Sequence, residues 1–508
     1  MSRKLPEHRQ ISEEDAPGQK TAIAAMMQSS SQCKWIMIAL LAYFALRLLF
    51  FAVAISPSVP PDEVTHFAVS RIFSTFFLLP KDSPDTYQYG LVTTVPWLYY
   101  WVMGKLLQLN FFGLHDLVFL RLCNIPLAFG TVWYAWRTLR LLTGGHLAQL
   151  LLVVAMTNTA MFTFLSASVS YDNLTNLLAA MSIYYLMAFF NRHSANQLAI
   201  SFLCQLAGCL TKPTFLPLVL ILAVILLANE FRNMHLLPAA LPSWFRASGR
   251  LALLLTTGIV LALALNLHLY GGNYLHYRNL TPDMGDVLSP EIAMEYRTQA
   301  RNMIFMQFKE GRISKEKALE MTSLIKHSSD RGTTIEMIEE YDYLKKSGEP
   351  VIGPFAYIPI WVETMCAGVF GIFAHLPMPI TKTKILLLIG LMGVACFAFM
   401  LRWRPAKEGW LPAYLAIIAI SYAVFLMYAI NYRTYLDYLS TWLSLQGRYI
   451  FPVIGPIYVL SSCYLLRIFS GKSARLVLCA VLSIFFIWSD FPFLLSSVTR
   501  AWFVWPPG

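Results

Sequence analysis

Trp35–Ile55 reads WIMIALLAYFALRLLFFAVAI and runs directly into Ser56–His66, SPSVPPDEVTH. A helix of these 21 residues reaches about 32 Å at ~1.5 Å per residue, enough to cross a hydrocarbon core of ~30 Å. No small-residue cleavage site follows it, so the stretch is expected to remain as a membrane helix and not to be removed as a signal peptide. What it delivers to the membrane edge is a proline-rich turn, two adjacent acids and a histidine.

The rest of the chain repeats the first half of that pattern. Of 508 residues, 57 % are hydrophobic and 13 % charged, about half the ~25 % charge of soluble domains. Too little charge is present to coat two or three soluble domains, and an all-α polytopic membrane protein is expected. Further spans are expected at 117–137, 147–168, 173–190, 196–210, 214–228, 251–270, 385–401, 409–430, 449–466 and 475–495. The short pair 196–210 and 214–228 meets at Thr211-Lys212-Pro213 and also reads as a broken hairpin. Residues 91–109 and 355–376 are apolar too, but they are interrupted by Pro96, Lys105, Pro359, Glu363 and His375 and rich in aromatics. Such segments favour the headgroup zone.

Charge sets the orientation. With both interrupted segments lying on the membrane, loops 137–146, 191–195, 229–250, 402–408 and 467–475 fall on one side and hold 12 Lys/Arg against two acids, Glu230 and Glu408. If 91–109 crossed instead, Arg137, Arg140, Arg232, Arg246 and Arg250 would move to the outside, against the positive-inside rule. The expectation is therefore about 11 spans, N-terminus in the cytoplasm and C-terminus outside. The net charge of +11 reads as topology and not as a nucleic-acid footprint. Residues 1–34 are expected to be a disordered cytoplasmic tail and 35–270 an N-terminal membrane module with outer loop 56–116. Residues 271–355 are expected to be a helical outer loop and 356–508 a C-terminal membrane region. In 271–355, which has 11 Lys/Arg and 13 Asp/Glu, Ser289-Pro290-Glu291 suggests a helix start, Thr333-x-x-Glu336 a capping box and Gly348 a stop. The eight cysteines lie almost entirely in apolar segments with no CxxC, which argues against a disulfide framework or a zinc site.

Under this topology the unusual polar residues gather at the outer face. Asp62, Glu63 and His66 fall on one side of a helix turn, where a carboxylate near a low-dielectric boundary is a plausible general base. The same residues are also ordinary helix-start grammar. Tyr171, Asp172 and Asn173 follow Ser170 at a helix junction, where Asp and Asn are common caps. Lys212 and Arg448, the latter followed by Tyr449, are placed to grip an anionic lipid phosphate, Arg at two points and Lys as a point charge. Snorkelling or a simple headgroup contact explains them equally well. Arg121, Glu363, His375 and Asp490 read as satisfied bundle polars or interface anchors.

In order, the acidic pair on the first outer loop, the Tyr171-Asp172 pair, the Thr211-Lys212-Pro213 break and the late Gly447-Arg448-Tyr449 resemble the GT-C superfamily of polytopic glycosyltransferases. The nearest branch is the bacterial family of predicted membrane proteins that opens with Pro-Asp-Glu-x-x-His. The resemblance runs over approximately residues 35–495. It implies a polyprenyl phosphate sugar as donor, an extracytoplasmic glycan, lipid or protein as acceptor, and a bacterial inner membrane. By position it implies Asp62 as the catalytic carboxylate with Glu63 as the alternative, and Lys212 and Arg448 facing the donor phosphate. Asp172 takes the second acidic position, which in the oligosaccharyltransferase branch also reads Tyr-Asp-Asn and helps to bind a metal. On that basis either a divalent cation (Mg or Mn) sits between Asp62 and Asp172, or the second acid serves only to position helices. The Trp-Trp-Asp acceptor motif and an appended sugar-binding domain are both missing from this sequence. Neither GxxxxGK[ST] nor GxGxxG occurs, so no nucleotide site is expected. Two other readings stay open: a lipid or solute transporter, which would show intramembrane charges and repeat symmetry, and an O-antigen-ligase-like polymer transferase, which would draw its Arg and His from a large loop. Convergence of Asp62, Asp172, Lys212 and Arg448 would favour the donor site.

Overall fold

The computed structural model describes residues 19–83, 86–233, 249–325, 328–348, 350–441, 443 and 445–504. Among them the protein is a helical membrane bundle with isolated bridges in place of strands. The elements that build the site are α1 (Gln19–Ala54), α2 (Glu63–Thr75), α3 (Leu98–Leu107), α4 (Asp116–Leu142), α5 (His146–Thr157), α6 (Ala160–Ser166), α7 (Tyr171–Arg192), α8 (Ala195–Cys209) and α9 (Leu216–Asn233). Two of the expected segments are corrected. Residues 19–34, expected to be disordered, continue α1 as helix; residues 1–18, with the rest of the expected tail, and Arg246 lie outside the described residues.

The number of crossings is close to the about 11 expected. Nine helices among the described residues are long and apolar enough to span, or ten if α5 and α6 form one bent span. The 147–168 segment is broken by a 68° bend. At the break Asn158 Nδ2 donates to the Val154 carbonyl at 2.9 Å and Thr159 Oγ1 to that of Ala155 at 2.8 Å, side-chain bonds that compete with continued helix. The Thr157 carbonyl turned out by the break accepts from Arg47 Nη2 at 2.7 Å and Thr163 Oγ1 at 3.0 Å. Arg47, inside the first span, is balanced in turn by buried Asp490. Helix α8, with 15 residues, covers only about 22 Å, too short to qualify by length. It nonetheless returns the chain to the end from which α7 set out, because Lys212 just after it bonds to Asp172 at the start of α7.

Such cross-links sort the helix ends into two sets. At one end Val504 N–H donates to the Ala54 carbonyl, Ser56 N–H to Trp502 and His375 N–H to Val59, and Lys212 and Arg448 join Asp172 and Asp62. At the other, Trp136 donates to Gln149, Arg232 to Tyr414 and Arg402 to the Ile468 carbonyl, while Arg467 pairs with Glu408. These two sets match the two sides that the charge distribution separates. The interrupted segments stay at the first end. Helix α3, ten residues long, starts where Leu98 N–H donates to the Leu210 carbonyl. The 17-residue helix Pro354–Phe370 begins beside Tyr435, which accepts from Ile352 N–H, and ends with Gly368 against Gly447.

Over this end lies the 271–355 segment. Ala300, Ile304, Phe305, Ala318, Met337 and Ile338 give it a small core of its own, closed by Leu443. Leu288 and Ala293 rest on Leu91 of the first loop, and Tyr296 donates to the Tyr87 carbonyl. Ser289 does precede a helix with Pro290 at its first position, without a side-chain capping bond, and Gly348 ends Ser328–Ser347 at φ 68°, the left-handed conformation that glycine supplies at a helix stop. Thr333 caps nothing: the second correction is that the helix Ser328–Ser347 runs through it.

Candidate functional site

The turn after α1 ends on Asp62, held at φ 57° and ψ 7°, a left-handed conformation that Asp tolerates better than most residues. Because the helix begins there, Asp62 and Glu63 diverge. Glu63 is fully buried. Its Oε1 accepts from Arg121 Nε at 2.9 Å and from Val169 N–H at 2.9 Å, and its Oε2 meets Arg121 Nη2. Arg121 Nη1 also donates to the Ala52 and Ile55 carbonyls at 3.2 and 2.7 Å, capping the end of α1. Glu63 is thus bound up with the scaffold.

Asp62 points the other way, with its side chain 51 % exposed, into a set of groups drawn from four distant stretches of sequence. Arg448, buried, donates from Nη2 to Asp62 Oδ2 at 2.6 Å and holds Nε 3.7 Å from Asp172 Oδ2. Its position depends on Gly447, where a Cβ would lie 2.1 Å from the Gly368 carbonyl carbon. Asp172, at the start of α7, accepts from Lys212 Nζ at 2.6 Å through Oδ1. The Lys212 ammonium sits between the Tyr171 and Tyr449 rings, 4.7 and 4.6 Å from their centroids. His66, one turn after Asp62, places its ring 4.4 Å from that of Tyr171, and its Nδ1 is 2.8 Å from the Tyr100 hydroxyl.

Two buried cations therefore face two carboxylates, and the cluster reaches the surface at Asp62. Burial works to raise the Asp62 pKa, but the Arg448 charge and a hydrogen bond from Arg448 hold it below the usual carboxylate value. Burial pushes His66 down to about 4, so it is neutral at working pH. Three buried nitrogens lack a hydrogen-bond partner: Arg448 Nε, Arg448 Nη1 and His66 Nε2. Buried donors are normally completed by a protein group, an ordered water or a ligand.

The structure brings together Asp62, His66, Tyr171, Asp172, Lys212, Arg448 and Tyr449. Glu63 is turned to Arg121. Asn173 is turned to the helix junction, its Nδ2 donating to Asn124 Oδ1 and the Leu165 and Ser168 carbonyls at 2.9–3.0 Å. The implied Mg or Mn does not fit, because the Arg448 guanidinium lies between Asp62 and Asp172 and Lys212 takes the other Asp172 oxygen. Among the described residues no group of three or more His, Cys, Asp and Glu could hold a metal ion. Tyr100 is the residue that sequence reading missed; it stood unmarked in the aromatic stretch 91–109 and only its bond to His66 singles it out. Arg47 was missed too, although a charge inside an apolar span is itself a signal.

No protein-family model matches the chain, and no curated protein matches it. Among solved structures, ArnT from Cupriavidus metallidurans in the apo state aligns with a TM-score of 0.48 and 16 % identity, over 89 % of this chain and 63 % of that one. ArnT from the same organism bound to undecaprenyl phosphate aligns with a TM-score of 0.35 and 14 % identity, over 85 % of this chain and 78 % of that one. This chain thus spans less than two thirds of the first, and the functional reading rests on the cluster itself.

Proposed function

We propose that the cluster is the active site of a membrane glycosyltransferase of GT-C type, which moves a sugar from a polyprenyl phosphate donor to an extracytoplasmic glycan, lipid or protein. The observation that carries the reading is the convergence of Asp62, Asp172, Lys212 and Arg448, with Arg448 Nη1 lacking a hydrogen-bond partner and Nε held only by its 3.7 Å ion contact with Asp172 Oδ2. A lipid phosphate reaching Arg448 would complete those nitrogens at two points, as Lys cannot. It would also compete with Asp62 for the guanidinium. Asp62 would then lose the contact that keeps it weakly basic and become a better proton acceptor.

In the reaction the acceptor hydroxyl oxygen attacks the anomeric carbon, its proton passes to Asp62, and the bond from that carbon to the phosphate oxygen breaks. The electron pair stays on the lipid phosphate, beside Arg448 and Lys212, which stabilise the charge as it develops. Asp172 is engaged by Lys212 and buried, so one carboxylate acts and the displacement is single, with inversion. The site end of the bundle is the outer, periplasmic side of a bacterial inner membrane in this reading, because the basic loops cluster at the opposite end. The ligase alternative is less favoured, since the cluster's ion pairs draw nothing from 271–355.

Binding tests this. Purified protein in detergent should bind undecaprenyl phosphate, as read by native mass spectrometry, and Arg448→Lys should weaken that binding by about tenfold or more. Unchanged binding in Arg448→Lys would remove Arg448 from the donor site, and no binding by the unaltered protein would remove the donor class.

A further inference from the structure

Buried histidines usually have both ring nitrogens satisfied. In this protein His66 does not: it is 4 % exposed, its Nδ1 meets the Tyr100 hydroxyl at 2.8 Å, and its Nε2 has no partner. The bond fixes which nitrogen carries the proton. Tyr100 is itself buried, and His66 is the one hydrogen-bond partner of its hydroxyl among the described residues. Donation from the hydroxyl into Nδ1 uses the phenol proton. The reverse would strand that proton in an apolar surround, where an unmade bond is costly. Nδ1 is therefore the acceptor, and Nε2 carries the hydrogen.

That N–H belongs to the same group of side chains as the phosphate-facing cations. The His66 ring lies edge-on to Tyr171, whose face holds Lys212 Nζ, and Asp62 precedes it by one helical turn. Resting on the glycosyltransferase reading, we propose that His66 is a substrate-contacting residue which donates Nε2–H to a phosphate oxygen of the lipid donor, and that Tyr100 is the positioning residue which locks the tautomer. His66 transfers no proton: the acceptor's proton still goes to Asp62 and the electron pair to the phosphate, while the His66 hydrogen bond shortens onto the leaving oxygen as charge builds there. A neutral donor suits this position. A third cation beside Arg448 and Lys212 would hold Asp62 further down and bind the released phosphate too tightly, whereas burial keeps His66 uncharged until about pH 4.

The test uses the full-length protein in detergent with undecaprenyl phosphate as probe. In the unaltered protein labelled with 15N-histidine, His66 should show a protonated Nε2 and an unprotonated Nδ1, and the Nε2 signal should shift when the lipid is added. His66→Gln, whose side-chain amide reaches the Nε2 position, should bind the lipid within a few-fold of normal, while His66→Phe should bind about 10- to 100-fold more weakly. Tyr100→Phe should leave the fold intact and mix the two tautomers in the 15N spectrum, a change that a purely structural tyrosine would not produce. A reversed tautomer, an Nε2 signal that ignores the lipid because it faces only the Tyr171 ring, or normal binding by folded His66→Phe would each overturn the assignment. If His66→Phe does not fold, His66→Gln and the spectrum of the unaltered protein still decide. Failure of the parent reading looks different: Arg448→Lys would then bind the lipid normally, or the unaltered protein not at all.

Discussion

Arg448 keeps Asp62 ionised, and that contact should govern the acid side of the pH–rate profile. As the proposed base Asp62 would work only when deprotonated, so activity should be lost as pH falls through its pKa, which Arg448 depresses. Replacing Arg448 by Gln removes the depression and should move the acid limb of log kcat/KM upward by about one to three pH units in the residual activity. An unmoved limb would mean that Arg448 does not set the Asp62 pKa in the protein before donor binds. The unaltered protein should show no inflection near pH 6.5 from His66, which burial holds neutral down to about 4. Of these residues, the charged ones were legible in sequence because a charge at a membrane edge is conspicuous against apolar spans. Tyr100 was not, since tyrosines are common at interfaces for reasons unrelated to any site. The divergence of Asp62 from Glu63 was not legible either, because it depends on a backbone turn of φ 57° at Asp62.

At the scale of elements, the Glu63–Arg121 pair straps α2 to α4 and closes the end of α1. Removing one partner of a buried pair leaves the other charge uncompensated. Glu63→Gln or Arg121→Met should therefore lower stability by about 3–5 kcal/mol, with the double variant recovering part of the loss. Thermal melting in detergent measures this, and a single variant that melts like the unaltered protein would show that the strap is ornamental. Gly447→Ala should be harmful too, because the added methyl meets the backbone of Gly368, which cannot yield as a flexible side chain would. It should lose undecaprenyl phosphate binding by displacing Arg448, and normal binding would uncouple the glycine crossing from the site. Sequence periodicity found the helices around these contacts but not the bend at Asn158 or the start at Ser328. The bend is settled by competition between local side-chain bonds and helix propagation, which a pattern of apolar residues does not encode.

For the molecule as a whole, the matching of helix ends into two sets gives the account its topology. Cysteines introduced at Arg137 and Arg140 should be labelled from the cytoplasmic side, and one at Val64 from the opposite side; labelling of both sets from one side would contradict the topology. The two-sided arrangement was legible in sequence because basic loops alternate with apolar spans. The packing of 271–355 onto the first outer loop was not, since it rests on contacts such as Leu91 with Leu288 and Ala293, which are distant in sequence. That segment should serve as an acceptor platform, and its deletion should reduce transfer while undecaprenyl phosphate still binds. All of this converges on one carboxylate. The most direct measurement is sugar transfer from a polyprenyl phosphate donor by purified Asp62→Asn, with thermal melting to confirm the fold. The amide is nearly isosteric and keeps the turn, yet it cannot take the acceptor's proton, so turnover should fall by about 10²–10⁴-fold. Near-normal transfer by the well-folded variant would contradict the account.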